Sequence, residues 1–440
     1  MKPYYLRFSG ILFFIFILFF SCVNKKNNFI SEAGKEKSDS CQQAPEISYE
    51  VYFPKSIPEC SDLPLLIVID PHANGKLSVN KFKNAADRFS CIIIASSTIK
   101  NGSQDFINTL NQLIDNARKK YSEGKIIYLA GFSGGARMAL SYAQYFPVNG
   151  VIACGAMSTP EQLSAINCPV MCIVGMADFN FIEAAQYIFN PEQAPAVLNL
   201  RFTTDTHAWP DKGILTEALG TLLMHQEKNK ICPPVKKLIQ DFSKSQSVKF
   251  DSLIKSDHYI DAALLARNLT KIENLSFPEK LQTVEYSPEF NQALNNLRES
   301  LRFELTVRNA YYAALNNEDM EWWEQEIASI NKNLEEDTNY YRKYALKRIK
   351  GFLGIMCYSL CNNYIINNDL SSIERMLAIY KLIEPDNADM YYFTALYEYK
   401  TGHPERVGKY LKQAIQSGFS DMDRMENDLP EKIVSSVFNK

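Results

Sequence analysis

Three residues in this chain have the types and surroundings that covalent acyl transfer needs: Ser133, Asp178 and His207. A serine hydroxyl is too weakly acidic to attack a carbonyl unaided, so an imidazole must take its proton and later return it to the leaving group. A carboxylate behind the imidazole holds the correct tautomer and stabilises the imidazolium. Ser133 lies in Gly131-Phe132-Ser133-Gly134-Gly135, a G-x-S-x-G run. Before it, 126–130 is wholly apolar, as a strand buried on both faces would be; after it, 136–145 is rich in Ala, Met and Leu and reads as helix. Strand, G-x-S-x-G and helix in that order are the context of a nucleophile elbow. The turn is so tight that flanking side chains would collide with backbone, hence the glycines. It would lift Ser133 Oγ clear of the sheet and leave the Gly134 N–H at a helix N-terminus, where a developing oxyanion is stabilised.

The elements that must position these groups alternate along 46–230. Apolar strands are predicted at 65–70, 91–95, 126–130, 150–155, 170–174 and 197–202. Helices are predicted at 78–89, 104–121, 136–145, 181–189 and 212–225; Val79, Phe82, Ala85, Ala86 and Phe89 mark the apolar face of the first. Residues 47–54 alternate around Tyr49, Val51 and Phe53 and are predicted to form an edge strand. Apolar strands alternating with helices imply a parallel sheet covered on both faces. In such a sheet function is found past the carboxyl ends of the strands. Asp178 ends Val174-Gly175-Met176-Ala177-Asp178, just past one strand, and His207 lies in Thr206-His207-Ala208-Trp209-Pro210, past the next. Asp70-Pro71-His72-Ala73-Asn74-Gly75 closes an earlier strand.

With these motifs in the order Ser, Asp, His, residues 46–230 resemble an α/β-hydrolase of the small esterase type, akin to dienelactone hydrolases and to polyester depolymerases or feruloyl esterases. The resemblance implies Ser133 as nucleophile, His207 as general base and Asp178 as its orienting acid, with no cofactor. It makes the 70–75 stretch the oxyanion loop, whose backbone donor at Ala73 would join Gly134; alanine stands there where glycine is common. Asp205 is a poorer rival for the acid. His72 precedes the serine, the wrong order, and reads as structural; His225 also competes for the base. Arg137 reads as a solvated or packing residue. Between Gly155 and Pro169 the chain is too short for an inserted cap, so the expected cleft is open, favouring bulky or polymer-attached esters.

Length and composition bound the rest. At 440 residues two domains are expected. A hydrophobic share of 46% with 22% charged residues is globular, and a net charge of −3 without a basic, aromatic-interleaved stripe excludes a nucleic-acid surface. Lys2 and Arg7 precede an apolar run, 11–20, and then Ser21-Cys22. That is the layout of a signal peptide over 1–21, and the Ser-Cys junction resembles a bacterial lipoprotein signal. The resemblance implies a lipidated Cys22, an anchor in the cell envelope (periplasmic side or outer-membrane surface), and a polar tether over 22–45. The competing reading, a transmembrane anchor, needs a run of roughly 20 apolar residues. Cys91, Cys154, Cys168 and Cys172 lie in apolar runs and read as small buried hydrophobes. Neither they nor Cys357 and Cys361 have zinc-site spacing, so no metal is expected. Cys41, Cys60 and Cys232 could enter a disulfide, with partners undetermined.

Cys232-Pro233-Pro234 breaks the pattern, and 231–440 is expected to be an all-α domain. In 388–419, Tyr391, Ala395, Gly402, Val407, Leu411 and Ala414 stand where tetratricopeptide repeats want an aromatic, a small residue, a turn glycine and apolar helix-B residues. One 34-residue period upstream, Cys361, Asn368, Ile373, Leu377 and Tyr380 keep the register, and Pro385 ends the unit. This resembles two degenerate tetratricopeptide repeats, which would bind a protein partner in a groove or only buttress the first domain. Trp322-Trp323 reads as packing rather than as a carbohydrate platform. The expected fold is thus a doubly wound, mostly parallel α/β-hydrolase sheet followed by an all-α helical-repeat domain. The expected function is a membrane-anchored serine hydrolase of carboxylic esters. The alternative is a catalytically silent hydrolase fold serving as a tetratricopeptide scaffold; a peptidase of the same fold, a third reading, ranks below the esterase.

Overall fold

In a computed structural model of the chain, the described residues are 31–57, 63–121, 126–225, 233–272 and 277–438. The leader, Cys22, Cys60 and Cys232 lie outside them. The chain forms two compact units. The first comprises the described residues up to Val174 with Glu183–Thr203 and Ala208–Phe290; the second comprises Gly175–Ile182, Thr204–His207 and the described residues from Asn291 on.

One eight-stranded sheet runs in the order β1-β2-β4-β3-β5-β6-β7-β8, with β1 Glu36–Cys41, β2 Ala44–Tyr52, β3 Leu65–Ile69, β4 Ile92–Ser96, β5 Ile127–Phe132, β6 Gly150–Cys154, β7 Val170–Gly175 and β8 Leu198–Thr203. β4, β3, β5, β6 and β7 pair in parallel, and β2 is antiparallel to both β1 and β4. Every residue of β3, β4, β6 and β7 is buried, which is why these strands are unbroken apolar runs rather than alternating ones. Helices α1 (Gly75–Phe89), α2 (Phe106–Tyr121), α3 (Gly134–Tyr145), α4 (Pro160–Ser164) and α5 (Phe181–Phe189) join successive strands from β3 to β8, and α6 (Lys212–Met224) follows β8. On α1 the residues at helical spacing (Val79, Phe82, Ala85, Ala86, Phe89) are all buried, and Phe82 and Phe89 share a core with Leu66, Val68 and Tyr128 of the sheet. The four cysteines predicted to be small hydrophobes are buried free thiols, as is Cys41.

Two boundaries differ from the sequence expectation. Residues 36–41, read as tether, form β1, so β2 is an inner strand and β1 is the edge. Polar composition hid β1 because its side chains are held by partners far along the chain. Ser38 Oγ donates to both Glu50 oxygens at 2.8 and 2.9 Å, and Lys120 Nζ and the Tyr121 hydroxyl of α2 both donate to Asp39. The first unit also continues past residue 230. α7 (Pro233–Lys255), α8 (Tyr259–Thr270) and α9 (Pro278–Glu285) belong to it. Phe242 of α7 is buried edge-on against Phe89, ring centroids 5.8 Å apart. Asn268 of α8 closes the backbone of β8: it accepts from Leu200 N–H at 3.0 Å and donates to Leu200 O at 2.8 Å. An edge strand left open would offer those groups to another chain.

The second unit is helical from α10 (Pro288–Asn317) onward, with α11 (Met320–Glu336), α12 (Tyr340–Asn367), α13 (Leu370–Ile383), α14 (Ala388–Lys400), α15 (Pro404–Gln416), α16 (Met422–Asp428) and α17 (Glu431–Phe438). The register positions Cys361, Ile373, Leu377 and Tyr380, and their counterparts Ala395, Val407, Leu411 and Ala414, lie in one core. Asn368 after α12 and Gly402 after α14, one 34-residue period apart, both adopt positive φ, 55° and 84°. That conformation ends a helix sharply and turns the chain into the next. Trp323 is fully buried in this core and meets Trp322 edge-on, with ring centroids 5.1 Å apart.

Candidate active site

Ser133 sits between β5 and α3 with φ 52° and ψ −117°. Positive φ in a residue other than glycine costs of order 1–3 kcal/mol and persists only where the surroundings enforce it. Here they do. The Ser133 N–H donates to Cys154 O of β6 at 2.8 Å, and its carbonyl accepts from Arg137 N–H at 3.2 Å in the first turn of α3. A Cβ on Gly131 would lie 2.3 Å from the Gly135 backbone, and one on Gly135 would lie 2.1 Å from Ile69 O of β3. Neither site has room for a side chain. Gly134 begins α3, so its N–H has no acceptor within the helix and points its dipole outward. A Cβ there would overlap the Asn101 side chain, 1.8 Å from Oδ1; that amide packs on the turn, a neighbour the sequence did not reveal.

The 70–75 loop is organised differently from the expectation. Ala73 does take the left-handed conformation a glycine would favour, φ 57°. Its N–H, however, donates to Asp70 O at 3.1 Å, closing a turn. The oxyanion donor assigned to Ala73 is therefore engaged. Buried Asp70 holds the loop, accepting from His72 N–H (2.9 Å) and Asn74 N–H (3.3 Å) on Oδ1 and from Trp209 Nε1–H (2.8 Å) on Oδ2. Nothing in the sequence marked Asp70 beyond its place after a strand. His72 is exposed at the turn, and Arg137 forms an ion pair with Glu183 at 2.6 Å.

Asp178 and His207 are brought together within the second unit. Asp178 follows β7 and is 1% exposed; His207 follows β8. Nδ1 of the ring lies 3.0 and 2.9 Å from the two carboxylate oxygens, so an Nδ1–H donates to a buried acceptor and Nε2 is left to carry the lone pair. Asp178 Oδ1 also accepts from Asn180 N–H at 2.8 Å. Phe179 lies against the ring, centroids 4.4 Å apart. Asp205, the rival acid, instead accepts the Ala177 N–H on its carbonyl at 3.1 Å. Ser133 and Gly134 belong to the first unit.

The fold is of the α/β-hydrolase type. It has the doubly wound, mostly parallel sheet, with a strained serine turning β5 into α3. No protein-family model matches the chain, and no curated protein matches it. Among solved structures it is similar to Est1E from Butyrivibrio proteoclasticus, at 14% identity and TM-score 0.34, covering 42% of this chain and 95% of that one. It is also similar to an S-formylglutathione hydrolase from Staphylococcus aureus, at 10% identity and TM-score 0.36, covering 43% and 98%. A third is the esterase domain of a Rhodothermus marinus protein, at 14% identity and TM-score 0.33, covering 42% and 96%.

Proposed function

We propose that this protein is a serine hydrolase of carboxylic esters that works through an acyl-enzyme on Ser133. His207 Nε2 takes the Ser133 proton as Oγ bonds to the ester carbonyl carbon, and gives it to the alcohol oxygen as the C–O bond breaks. A water molecule then loses its proton to the same ring while attacking the acyl carbon, and Ser133 Oγ recovers that proton as it leaves. Asp178 accepts the Nδ1–H throughout and stabilises the imidazolium. The Gly134 N–H stabilises the oxyanion in both halves. The observation that carries this reading is the backbone of Ser133. A non-glycine residue held at positive φ between a strand and a helix, with glycines no side chain could replace, is backbone strain of the kind that clusters at active sites. With only the five-residue α4 between β6 and β7, the ester class proposed is bulky or polymer-attached. Anchoring through a lipidated Cys22, and tetratricopeptide character for α12–α15, belong to the same proposal.

A second reading, a catalytically silent hydrolase fold acting as a helical-repeat scaffold, is favoured by one observation: the Ala73 N–H is engaged by Asp70. Pre-steady-state hydrolysis of a p-nitrophenyl ester separates the two. The hydrolase reading expects a burst of nitrophenol stoichiometric with enzyme and abolished by Ser133→Ala. No turnover above the Ser133→Ala background selects the scaffold.

A further inference from the structure

The second unit contains a buried charge cluster that the ester chemistry does not use directly. Glu304 of α10 and Arg348 of α12 are fully buried and paired, Arg348 Nε to Glu304 Oε2 at 2.6 Å. Arg308, one turn along α10, pairs with the other carboxylate oxygen at 2.6 Å and is 11% exposed. Desolvation lowers both guanidiniums from their ordinary pKa, and Glu304 opposes that shift. Buried ion pairs of this kind are weak devices for stability, since apolar residues of similar volume often serve as well. Their value lies in the geometry they impose on whatever else they bond.

Here each guanidinium has a second partner. Arg348 Nη1 donates to Met176 O, and Arg308 Nη2 donates to Phe179 O at 2.9 Å. These two carbonyls bracket Asp178. Phe181, the first residue of α5 after that loop, lies under the Arg348 guanidinium at 4.8 Å. The Phe179 ring, packed on His207, also faces α12: a Cβ added to Gly351 would sit 3.4 Å from Phe179 Cδ1. Through the Ala177 N–H to Asp205 O bond the acid loop is tied to the base loop.

We infer that Arg348, Arg308 and Glu304 are positioning residues for the Asp178–His207 pair, so that helices α10 and α12 hold the acid and base of the reaction. The helical domain is then part of the catalytic apparatus, beyond any role as buttress or partner-binding groove. The role in turnover rests on the serine-hydrolase reading; the effect on the pair itself does not. Glu304 acts by fixing two arginines, the arginines by fixing two carbonyls, and the carbonyls by fixing the carboxylate on its ring nitrogen.

The test uses the full chain and two readouts: kcat and KM on a soluble ester, and the low-field His207 Nδ1–H proton resonance, assigned by its loss in Asp178→Asn. Arg348→Met keeps side-chain volume and removes the fork; it should shift or broaden the low-field proton and lower kcat about 100-fold, as expected for a displacement of about 1 Å. KM should change by less than about threefold, and Arg348→Lys, with its single point of attachment, should recover only part of kcat. Should Arg348→Met fail to fold, Gly351→Leu presses on Phe179 without touching the charges and should reproduce the kcat loss, whereas Gly351→Ala should not. A folded Arg348→Met, or Gly351→Leu in its place, with unchanged kcat and unchanged low-field proton overturns the inference. If wild type turns over no ester while Arg348→Met still perturbs the proton, the positioning stands and the hydrolase reading falls.

Discussion

Replacing Asp178 by asparagine changes one atom and almost no volume, and its consequences can be worked out contact by contact. The asparagine oxygen can still accept the Asn180 N–H, which Asp178 Oδ1 now holds at 2.8 Å. The amide nitrogen must then face His207 Nδ1, where the carboxylate now lies 2.9 Å away. Two N–H groups cannot share that contact, so the ring presents a lone pair at Nδ1 and carries its proton on Nε2. In that tautomer Nε2 cannot take a proton from a serine. The expected loss is about 10⁴-fold in kcat, or about 5.4 kcal/mol of transition-state stabilisation at about 1.36 kcal/mol per tenfold. KM should be almost unchanged, since no substrate contact is altered, and so should the urea midpoint. Steady-state hydrolysis of a soluble ester, with purity controlled by active-site titration, gives the number. A kcat within tenfold of wild type would refute the role assigned to Asp178.

Three further outcomes concern the scaffold. Gly135→Ala places a Cβ 2.1 Å from the Ile69 carbonyl in a central strand, where neither partner can yield; equilibrium urea unfolding should show a loss of at least about 3 kcal/mol, and a loss under about 1 kcal/mol would mean the elbow is looser than described. Asn268→Leu leaves the Leu200 N–H and C=O buried without their partner, at about 1–3 kcal/mol per group; calorimetry should find a lower Tm and size-exclusion a rise in oligomers, and an unchanged Tm would count against the closed edge. His225 at the end of α6 is held down to about 4, by desolvation first and by the Lys271 charge second. Its folded pKa is below the unfolded value of about 6.5, so the unfolded chain binds the proton first: stability should fall as pH drops from about 6.5 to about 4, by up to roughly 3 kcal/mol. His225→Gln should flatten that part of the urea-midpoint profile, and a profile parallel to wild type would remove His225 as its source.

How much of this was legible beforehand depended on whether a feature announces itself through local chemistry. The elbow did, because a turn that tight admits only glycine at its flanks, and the buried strands did, because both faces must be apolar. The 34-residue register did too, since helical pairs repeat their packing positions. β1 was hidden: Asp39 reads as a solvated charge until Lys120 and Tyr121 are seen beside it. The Cys232-Pro233-Pro234 break points to a domain boundary because prolines interrupt helices, yet interruption of a helix does not stop the next one from packing on the same core, as Phe242 does. The engagement of the Ala73 N–H follows from a turn conformation that alanine does not signal. Glu304 and Arg308 are visible as an i, i+4 pair, the commonest of solvated patterns, and only Arg348 arriving from α12 makes them a buried cluster. Long-range partners, rather than local propensity, account for these differences, apart from the local turn at Ala73.

The most direct measurement of the central claim is covalent trapping. Wild-type protein treated with a fluorophosphonate and digested for peptide mass spectrometry should carry a single adduct on Ser133, absent from Ser133→Ala and strongly slowed in His207→Gln. No adduct, or an adduct on any other residue with Ser133 unmodified, would contradict it.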